Sequence, residues 1–194
     1  MREKLLKYMT EFTKLTEEEQ QEITEAILIE EYKKGTYLIR QGDAPTTKCY
    51  FVLQGCVRQY TINESGKEVT ANFYTEEQAI LIFAFQDSSQ TSKYSLTCLE
   101  DTVMVVGDFE TEQEMYSQYS ELEIMTRKMT EIYLGETQNE FAAFISSTPE
   151  ERYKSIISKR PDLITRVPQH QLASYLGVTP ESLSRIKKRM NKDI

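Results

Sequence analysis

Residues that build redox and metal centres are scarce in this chain of 194 residues, which has three cysteines and one histidine. Cys49, Cys56 and Cys98 are odd in number and widely spaced, and they form no Cys-x-x-Cys pair. His170 has no second potential ligand close to it in the sequence, so a surface position or a phosphate contact is favoured over a metal site. A disulfide framework, a zinc site and a cysteine-ligated iron–sulfur cluster are therefore all poorly supported.

Long apolar runs are also missing. The longest, at 79–85 and 103–106, are far too short to span a bilayer, and the first eight residues lack the apolar core of a secretory signal. Catalytic signatures are equally scarce, since the sequence has no P-loop, no Gly-x-Ser-x-Gly and no paired His/Cys constellation. We therefore expect a cytoplasmic protein that is not an enzyme.

Positive charge is concentrated at one end of a chain whose net charge is −8. Residues 150–194 hold ten Lys/Arg and five Asp/Glu, which gives +5, whereas residues 1–149 hold 13 and 26, which gives −13. A phosphate backbone would be attracted to the basic end and repelled by the rest. A solvated charged helix is the ordinary alternative.

The segment 167–190 has the pattern of two short helices around a tight turn. Leu172, Ala173 and Leu176 share one face of the first helix, and Gly177 can end it in the left-handed conformation. Val178 can fill the space under the turn.

The second helix of this pattern has clear start signals. Thr179 is a good N-cap, and Pro180 suits the first helical position. Leu183, Ile186 and Met190 continue an apolar stripe. The remaining face is polar and basic, with Glu181, Ser182, Ser184, Arg185, Lys187, Lys188 and Arg189. The pattern is typical of a DNA-binding helix-turn-helix, with an ordinary surface hairpin as the less favoured alternative.

The preceding part of the chain changes character twice. Residues 1–30 are predicted to be helical, with a capping box over Thr16–Glu19 followed by buried Ile23 and Ile27. Residues 31–108 contain short strand-like runs at intervals of eight to twelve residues, with a hairpin signal at 63–66. Such spacing predicts a β-sandwich or barrel.

A helical pattern returns from 109 to about 145. Its narrow apolar seam favours a self-dimer over packing onto the chain's own β domain. Gly135 interrupts the helix at a cost of ~1 kcal/mol. We expect the dimer to form through Tyr119, Leu122, Met125, Met129 and Ile132. A break follows, where Thr148, Pro149 and Glu151 form a second capping box and mark a hinge.

In this order the elements resemble the family of bacterial regulators that includes the cyclic-AMP receptor protein and Fnr. The most specific fragments lie at 34–43, 50–58, 66–69, 99–102 and 172–185. The resemblance implies an α+β protein with an antiparallel β-roll or jelly roll like a cyclic-nucleotide-binding domain. It divides the chain into a sensor domain with short N-terminal helices (1–108), a long dimerisation helix (109–146) and an all-α helix-turn-helix domain (147–194).

The resemblance also implies a homodimer on a near-palindromic operator of double-stranded DNA, and it leaves RNA polymerase open as a partner. Glu181 and Arg185 would face base edges, with Ser184 nearby. Phosphate contacts would come from Thr179 and Ser182, and from Gln169 or His170. Less specific attraction would come from Lys187, Lys188 and Arg189.

Two departures from the family pattern concern this interface. Many members carry a basic residue where Pro180 stands, so that contact would be lost here. The sequence also ends at residue 194, so we expect no β-wing after the second helix.

The segment where a cyclic nucleotide would bind departs from the family pattern. Such a site needs a helix opening with Gly-Glu and an arginine for the phosphate, but residues 73–95 contain neither glycine nor arginine. Glu76 and Glu77 would repel a phosphate, and Lys93 cannot supply the arginine fork. We therefore expect no cyclic AMP binding of the usual kind, so the pocket either holds another small molecule or is vestigial.

The ligand residues of such a pocket are unknown from the sequence. Its apolar residues favour core packing over ligand contact: Ile80, Leu81, Ile82, Phe83 and Phe85. A second functional hypothesis is a small-molecule sensor or binding module whose degenerate helix-turn-helix docks a protein instead of DNA.

Overall fold

Strands between residues 29 and 108 form two antiparallel four-stranded sheets that face each other. The computed structural model describes residues 2–44, 46–82 and 91–190. One sheet has the order β1-β8-β3-β6 and the other β2-β7-β4-β5. The strands are β1 (Ile29–Tyr32), β2 (Tyr37–Ile39), β3 (Lys48–Gln54), β4 (Val57–Ile62), β5 (Glu68–Tyr74), β6 (Ala79–Leu81), β7 (Ser95–Cys98) and β8 (Thr102–Asp108). The antiparallel β-roll implied by the family resemblance is confirmed.

The core of the roll lies between the two sheets, where apolar side chains from both inner faces meet. Val52, Leu96 and Met104 are completely buried there. Ile80 and Ile82 are also buried in this core, which confirms their interpretation as packing residues. Leu81 is half-buried, and Phe83 and Phe85 lie outside the described residues.

The β4–β5 hairpin closes at the predicted turn. The Asn63 N–H donates to the Lys67 carbonyl, and the Gly66 N–H donates to the Asn63 carbonyl. The Asn63 side-chain oxygen accepts the N–H groups of Ser65 and Lys67. Asn63 and Gly66 therefore form this turn through local hydrogen bonds, in line with the turn preferences of asparagine and glycine.

Two N-terminal helices, α1 (Arg2–Phe12) and α2 (Glu17–Ala26), precede the roll. The capping box at Thr16 and Glu19 is present as predicted. Ile23 is buried in a small core with Met9 and Leu15. Leu122, from a helix that follows the roll, completes this core.

The prediction of one continuous helix over 109–146 is wrong at one residue. It is two helices, α3 (Phe109–Gln118) and α4 (Ser120–Ser146), separated at Tyr119 with φ −128° and ψ 86°. The Tyr119 ring packs beside the N-terminal core, and its hydroxyl donates to Glu22 at 2.9 Å. These contacts favour a bend there, so α3 contacts β8 while α4 contacts α1.

The C-terminal part is helical and shares its core with the roll. It consists of α5 (Pro149–Lys159), α6 (Leu163–Arg166), α7 (Gln169–Tyr175) and α8 (Pro180–Met190). Leu172 and Leu183 are buried in a cluster that also contains Cys56 and Phe73 from the roll. The boundaries at 108 and 146 stay a prediction, and this core joins residues from the first and third of the predicted domains. No helix in the described part of the chain has the length and apolar character needed to span a bilayer.

Candidate nucleic-acid interface

The turn between α7 and α8 is a Schellman motif. The Gly177 N–H donates to the Ser174 carbonyl at 3.0 Å, and the Val178 N–H donates to the Ala173 carbonyl at 2.9 Å. Gly177 has φ +73°, the left-handed conformation that the motif requires. Val178 packs into the helical core under the turn, as predicted.

The start of α8 is fixed by the residues that the sequence singled out. The Thr179 hydroxyl oxygen accepts the Ser182 N–H at 3.2 Å, and Pro180 is the first helical residue. Leu183 and Ile186 are buried beneath the helix. The polar face of α8 is therefore turned outward by its apolar stripe.

Five polar side chains of α8 are exposed: Glu181, Ser184, Arg185, Lys188 and Arg189. Within the described part of the chain, no hydrogen bond or salt bridge occupies the Arg185 guanidinium. The Gln169 amide donates to the Ser184 hydroxyl at 2.7 Å, which brings the start of α7 to α8. His170 is exposed next to Gln169. A groove of about 770 Å³ runs beside this face, between α8 and the start of α5.

Two of the cations predicted to attract DNA, Lys187 and Arg189, interact with α5. Lys187 is half-buried, with its Nζ 5.8 Å from the centroid of the Tyr153 ring. Arg189 pairs with Glu150 at 3.2 Å. Neither side chain is therefore as free for an external phosphate as Arg185 or Lys188. Both partners lie in α5, far from α8 in sequence, so no local pattern predicts these contacts.

Glu181 is charged at the start of α8. Hydrogen bonds from its own N–H and from the Thr179 hydroxyl lower its carboxyl pKa, and the nearby Arg185 charge adds to the effect. An ionised carboxylate at a helix N-terminus is also stabilised by the helix dipole. Glu181 can therefore act only as a hydrogen-bond acceptor at neutral pH.

The first helix of the motif docks on the roll. The Ser174 hydroxyl accepts the Thr70 N–H at 3.0 Å and donates to the Glu68 carbonyl at 3.3 Å. The rings of Phe73 and Tyr175 meet edge to face, with centroids 5.3 Å apart. These contacts fix α7, and through the turn α8, relative to β5.

An ion cluster, Arg166 with Glu76 and Glu100, forms a second link between the roll and the helices. Both Nη atoms of Arg166 donate to Glu76, at 2.7 and 2.9 Å, and Nη2 also donates to Glu100. The Glu76 carboxylate accepts the Gly55 N–H as well, at 2.9 Å. Burial would raise the carboxyl pKa of Glu76, but the hydrogen bonds from Arg166 and Gly55 outweigh it and lower the pKa to about 2.

This ion cluster was not found by sequence reasoning, which placed Glu76 only as a charge that would repel a phosphate. Its three residues are far apart in the chain, and no spacing signal connects them. Arg160 lies beside the cluster and donates to the Phe73 carbonyl at 2.6 Å. Two arginines of the basic segment therefore bind the acidic roll instead of facing outward.

The predicted dimer seam is only partly available on the surface of α4. Leu122 is 5% exposed in the N-terminal core, and Tyr119 and Met125 pack against that core. These three contacts are therefore made within the chain, because α1 and α2 cover this end of α4. Met129 is half-buried and Ile132 is 51% exposed.

An exposed apolar stripe on the second half of α4 was missed. Leu134, Phe141 and Ile145 are 56%, 66% and 65% exposed. Their spacing of seven and four residues places them along one side of the helix. The sequence carries this spacing, but Gly135 separates most of the stripe from the apolar seam before it.

Within the segment 73–95, where a small molecule would be expected to bind, residues 83–90 lie outside the described residues. Lys93, near the end of this segment, is exposed. Burial raises the thiol pKa of Cys49 and of Cys56 to about 12, so neither thiol is ionised at neutral pH. Across 2–44, 46–82 and 91–190, no group of three or more residues is arranged to hold a metal ion.

Comparison with known proteins supports this architecture. Residues 29–119 match the family described as the cyclic nucleotide-binding domain. FixK2 from Bradyrhizobium japonicum aligns with a TM-score of 0.67 and 16% identity over 87% of this chain and 86% of its own. CLP, a c-di-GMP-responsive global regulator from Xanthomonas campestris, aligns with a TM-score of 0.62 and 17% identity over 89% of this chain and 90% of its own.

The catabolite activator protein of Thermus thermophilus aligns with a TM-score of 0.53 and 19% identity over 94% of this chain and 86% of its own. None of the curated proteins matches the chain in sequence. Residues 29–119 are therefore similar to the cyclic nucleotide-binding domain family, and the chain has the fold of the regulators to which it aligns. The resemblance stated from the sequence is confirmed at this level.

Proposed function

We propose that this protein is a sequence-specific DNA-binding transcriptional regulator that acts as a homodimer. The observation that carries the proposal is the outward face of α8, which presents Glu181, Ser184, Arg185 and Lys188 above a tightly capped turn. A helix of this kind fits the major groove. Arg185 can donate two hydrogen bonds to guanine, and Glu181 can accept one from cytosine N4.

Side chains around α8 supply contacts to the DNA backbone. Gln169 and His170 at the start of α7, with Thr179 and Ser182 at the start of α8, are positioned to hold phosphates. Lys188 adds attraction that does not depend on sequence, and Lys187 and Arg189 contribute less because they are engaged with α5. The acidic remainder of the chain orients DNA toward this end.

The homodimer that we propose forms along α4. A helix of 27 residues is about 40 Å long, and its second half carries the exposed stripe of Leu134, Phe141 and Ile145. A second copy would bury this stripe, with Met129 and Ile132 at its N-terminal end. The two α8 helices would then enter successive major grooves about 34 Å apart.

We further propose that cyclic AMP is not the effector. Tyr74, Ile80 and Ile82 fill the interior of the roll, and Arg166 is already paired with Glu76 and Glu100, so its guanidinium is not free for a phosphate. Isothermal titration with cyclic AMP and cyclic GMP tests the proposal. Micromolar binding of either nucleotide would refute it, and a different small-molecule effector remains compatible with it.

Selection of bound duplexes from a random DNA pool tests the main proposal, followed by fluorescence anisotropy on the selected site at 150 mM salt. A regulator keeps its sequence preference at this salt concentration. Arg185→Ala is expected to cost ~1–3 kcal/mol on the selected site and far less on random DNA. Arg40→Ala, an exposed cation of the roll, is the matched control and should change neither affinity.

The competing function is a sensor module whose C-terminal helices dock a protein. It predicts only weak binding to DNA that disappears as salt rises, with no enriched sequence in the selection. Equal losses on selected and random DNA in Arg185→Ala would remove Arg185 from the base-reading role. RNA polymerase stays a proposed further partner of the DNA-bound dimer.

A further inference from the structure

Arg152, in the first turn of α5, joins the ends of two other helices. Its Nε donates to the Phe144 carbonyl of α4 at 3.0 Å, and its Nη1 donates to the Leu176 carbonyl of the helix-turn-helix at 3.0 Å. The guanidinium carbon lies 3.8 Å from the centroid of the Phe144 ring. Nη1 is also 3.3 Å from the point where a Cβ on Gly177 would lie.

Both acceptors are carbonyls that a helix leaves without a partner. Phe144 lies in the last turn of α4, and Leu176 is the C-cap of α7. Helix C-termini carry partial negative charge, so a cation between two of them is favourable. The planar guanidinium supplies two donors in a fixed geometry, which a lysine ammonium on a flexible stem does not.

The bridge spans the hinge predicted from the sequence. Residues 141–146 at the end of α4 are all exposed, so contacts between this end and the rest of the chain are sparse. Ser174 and Arg166 dock the helix-turn-helix on the roll, but neither of them contacts the end of α4. Arg152 ties this end of α4 directly to the turn before α8.

We propose that Arg152 is a positioning residue that sets the separation of the two recognition helices. The inference rests on the proposed function, because it takes α4 as the dimer rod and α8 as the helix that reads DNA. A fixed angle between these two helices in each protomer fixes the distance between the two α8 helices. The Arg152 bridge therefore makes the dimer specific for the spacing of half-sites in its operator.

The test uses the chain of 194 residues and a series of operators. Two half-sites, taken from the selected sequence, are placed at centre-to-centre separations changed in single base-pair steps around ~10 base pairs, beside a duplex with one half-site. The wild type is expected to prefer one separation. Arg152→Met keeps the apolar stem and loses both donors, so it should lose about tenfold affinity at that separation and become nearly indifferent to spacing.

Two further variants distinguish the effect of the two hydrogen bonds of Arg152 from the effect of its positive charge. Arg152→Lys keeps the charge but cannot hold both carbonyls, so it should behave like Arg152→Met. Lys154→Met removes an exposed cation from the same helix, one that pairs with Glu150 at 3.5 Å, and should keep the wild-type spacing preference. Affinity for the single half-site should be unchanged in all three.

A second measurement does not depend on DNA. Spin labels at Lys188→Cys in a Cys49→Ser background report the distance between the two α8 helices, since Cys56 and Cys98 are buried. The distance distribution should be narrow with Arg152 present and broad in Arg152→Met.

Several outcomes would overturn the inference. One is a folded, dimeric Arg152→Met that retains the spacing preference and the narrow distribution. Another is an equal loss of affinity on one and two half-sites, which would make Arg152 a phosphate contact or a stabiliser of the turn. A wild type with no sequence preference contradicts the proposed function itself, which distinguishes that failure from a failure of the bridge.

Discussion

Glu76 shows how the role of a single side chain depends on partners that are distant in sequence. Considered without its partners, the negative charge of Glu76 would be expected to repel a phosphate in the roll. In the folded chain the same charge is held by Arg166 of α6 and by the Gly55 N–H. The carboxylate therefore stabilises the docking of the helices on the roll.

Replacing Glu76 by Gln should weaken this docking. The change leaves Arg166 with Glu100 as its only carboxylate partner in the cluster. Loss of charged hydrogen bonds of this kind costs about 2 kcal/mol of unfolding free energy. Urea unfolding at pH 7 measures the change, and Glu64→Gln in the exposed β4–β5 turn is the control. Equal stability of the two variants would contradict the proposed contribution.

The same residue predicts a pH dependence. The folded-state carboxyl pKa of Glu76 is about 2, below its ordinary value of 4.5, so its contribution is fully present above about pH 4.5. It is lost as the pH falls from there toward 2. Unfolding free energies at pH 7, 5, 4 and 3 should therefore converge between wild type and Glu76→Gln. A constant difference over this range would show that ionisation of Glu76 is not responsible.

At the scale of single elements, the turn before α8 depends on one glycine. Gly177→Ala forces an L-residue into the left-handed region, at a cost of ~1–2 kcal/mol, and brings its Cβ to 3.3 Å from Arg152. The variant should lose stability by at least that cost. Gly66→Ala is the matched control, because Gly66 has φ +77° but nothing within 4 Å.

The comparison of the two glycine variants separates backbone strain from crowding. Thermal unfolding of both is the measurement. A larger loss in Gly177→Ala than in Gly66→Ala is expected, because only the former displaces the Arg152 side chain. Similar losses would mean that the guanidinium moves aside without cost.

Elements defined by neighbouring residues were predictable from the sequence, and contacts between distant residues were not. The capping boxes at Thr16 and Thr148 and the Gly177 turn each depend on residues within five positions of one another. The bend at Tyr119 depends on Glu22 and the N-terminal core, and the ion cluster joins residues 76, 100 and 166. No local pattern encodes such contacts, so the sequence predicted the helix-turn-helix but not its docking.

At the scale of the whole molecule, the surface of α4 divides into a covered part and an open part. Phe141→Glu places a charge on the open apolar stripe and should shift a homodimer toward monomers. Leu122→Ala removes a buried side chain and should cost 2–5 kcal/mol of unfolding free energy without a specific effect on association. Sedimentation equilibrium and urea unfolding of both variants measure these outcomes.

The two variants test the revised dimer surface against the original one. If Leu122→Ala dissociates the protein while Phe141→Glu leaves it dimeric, the seam predicted from the sequence is correct and the open stripe is not the interface. A monomeric wild type would contradict any interface along α4.

The contact between α7 and β5 also determines what is exposed when the C-terminal helices separate from the roll. β5 is the outermost strand of its sheet, and Ser174 occupies the Thr70 N–H that would otherwise point outward. An unprotected edge strand is a template for pairing with another chain. Chains whose C-terminal helices have separated from the roll would therefore expose β5 as an unpaired edge strand. Such chains are expected to aggregate.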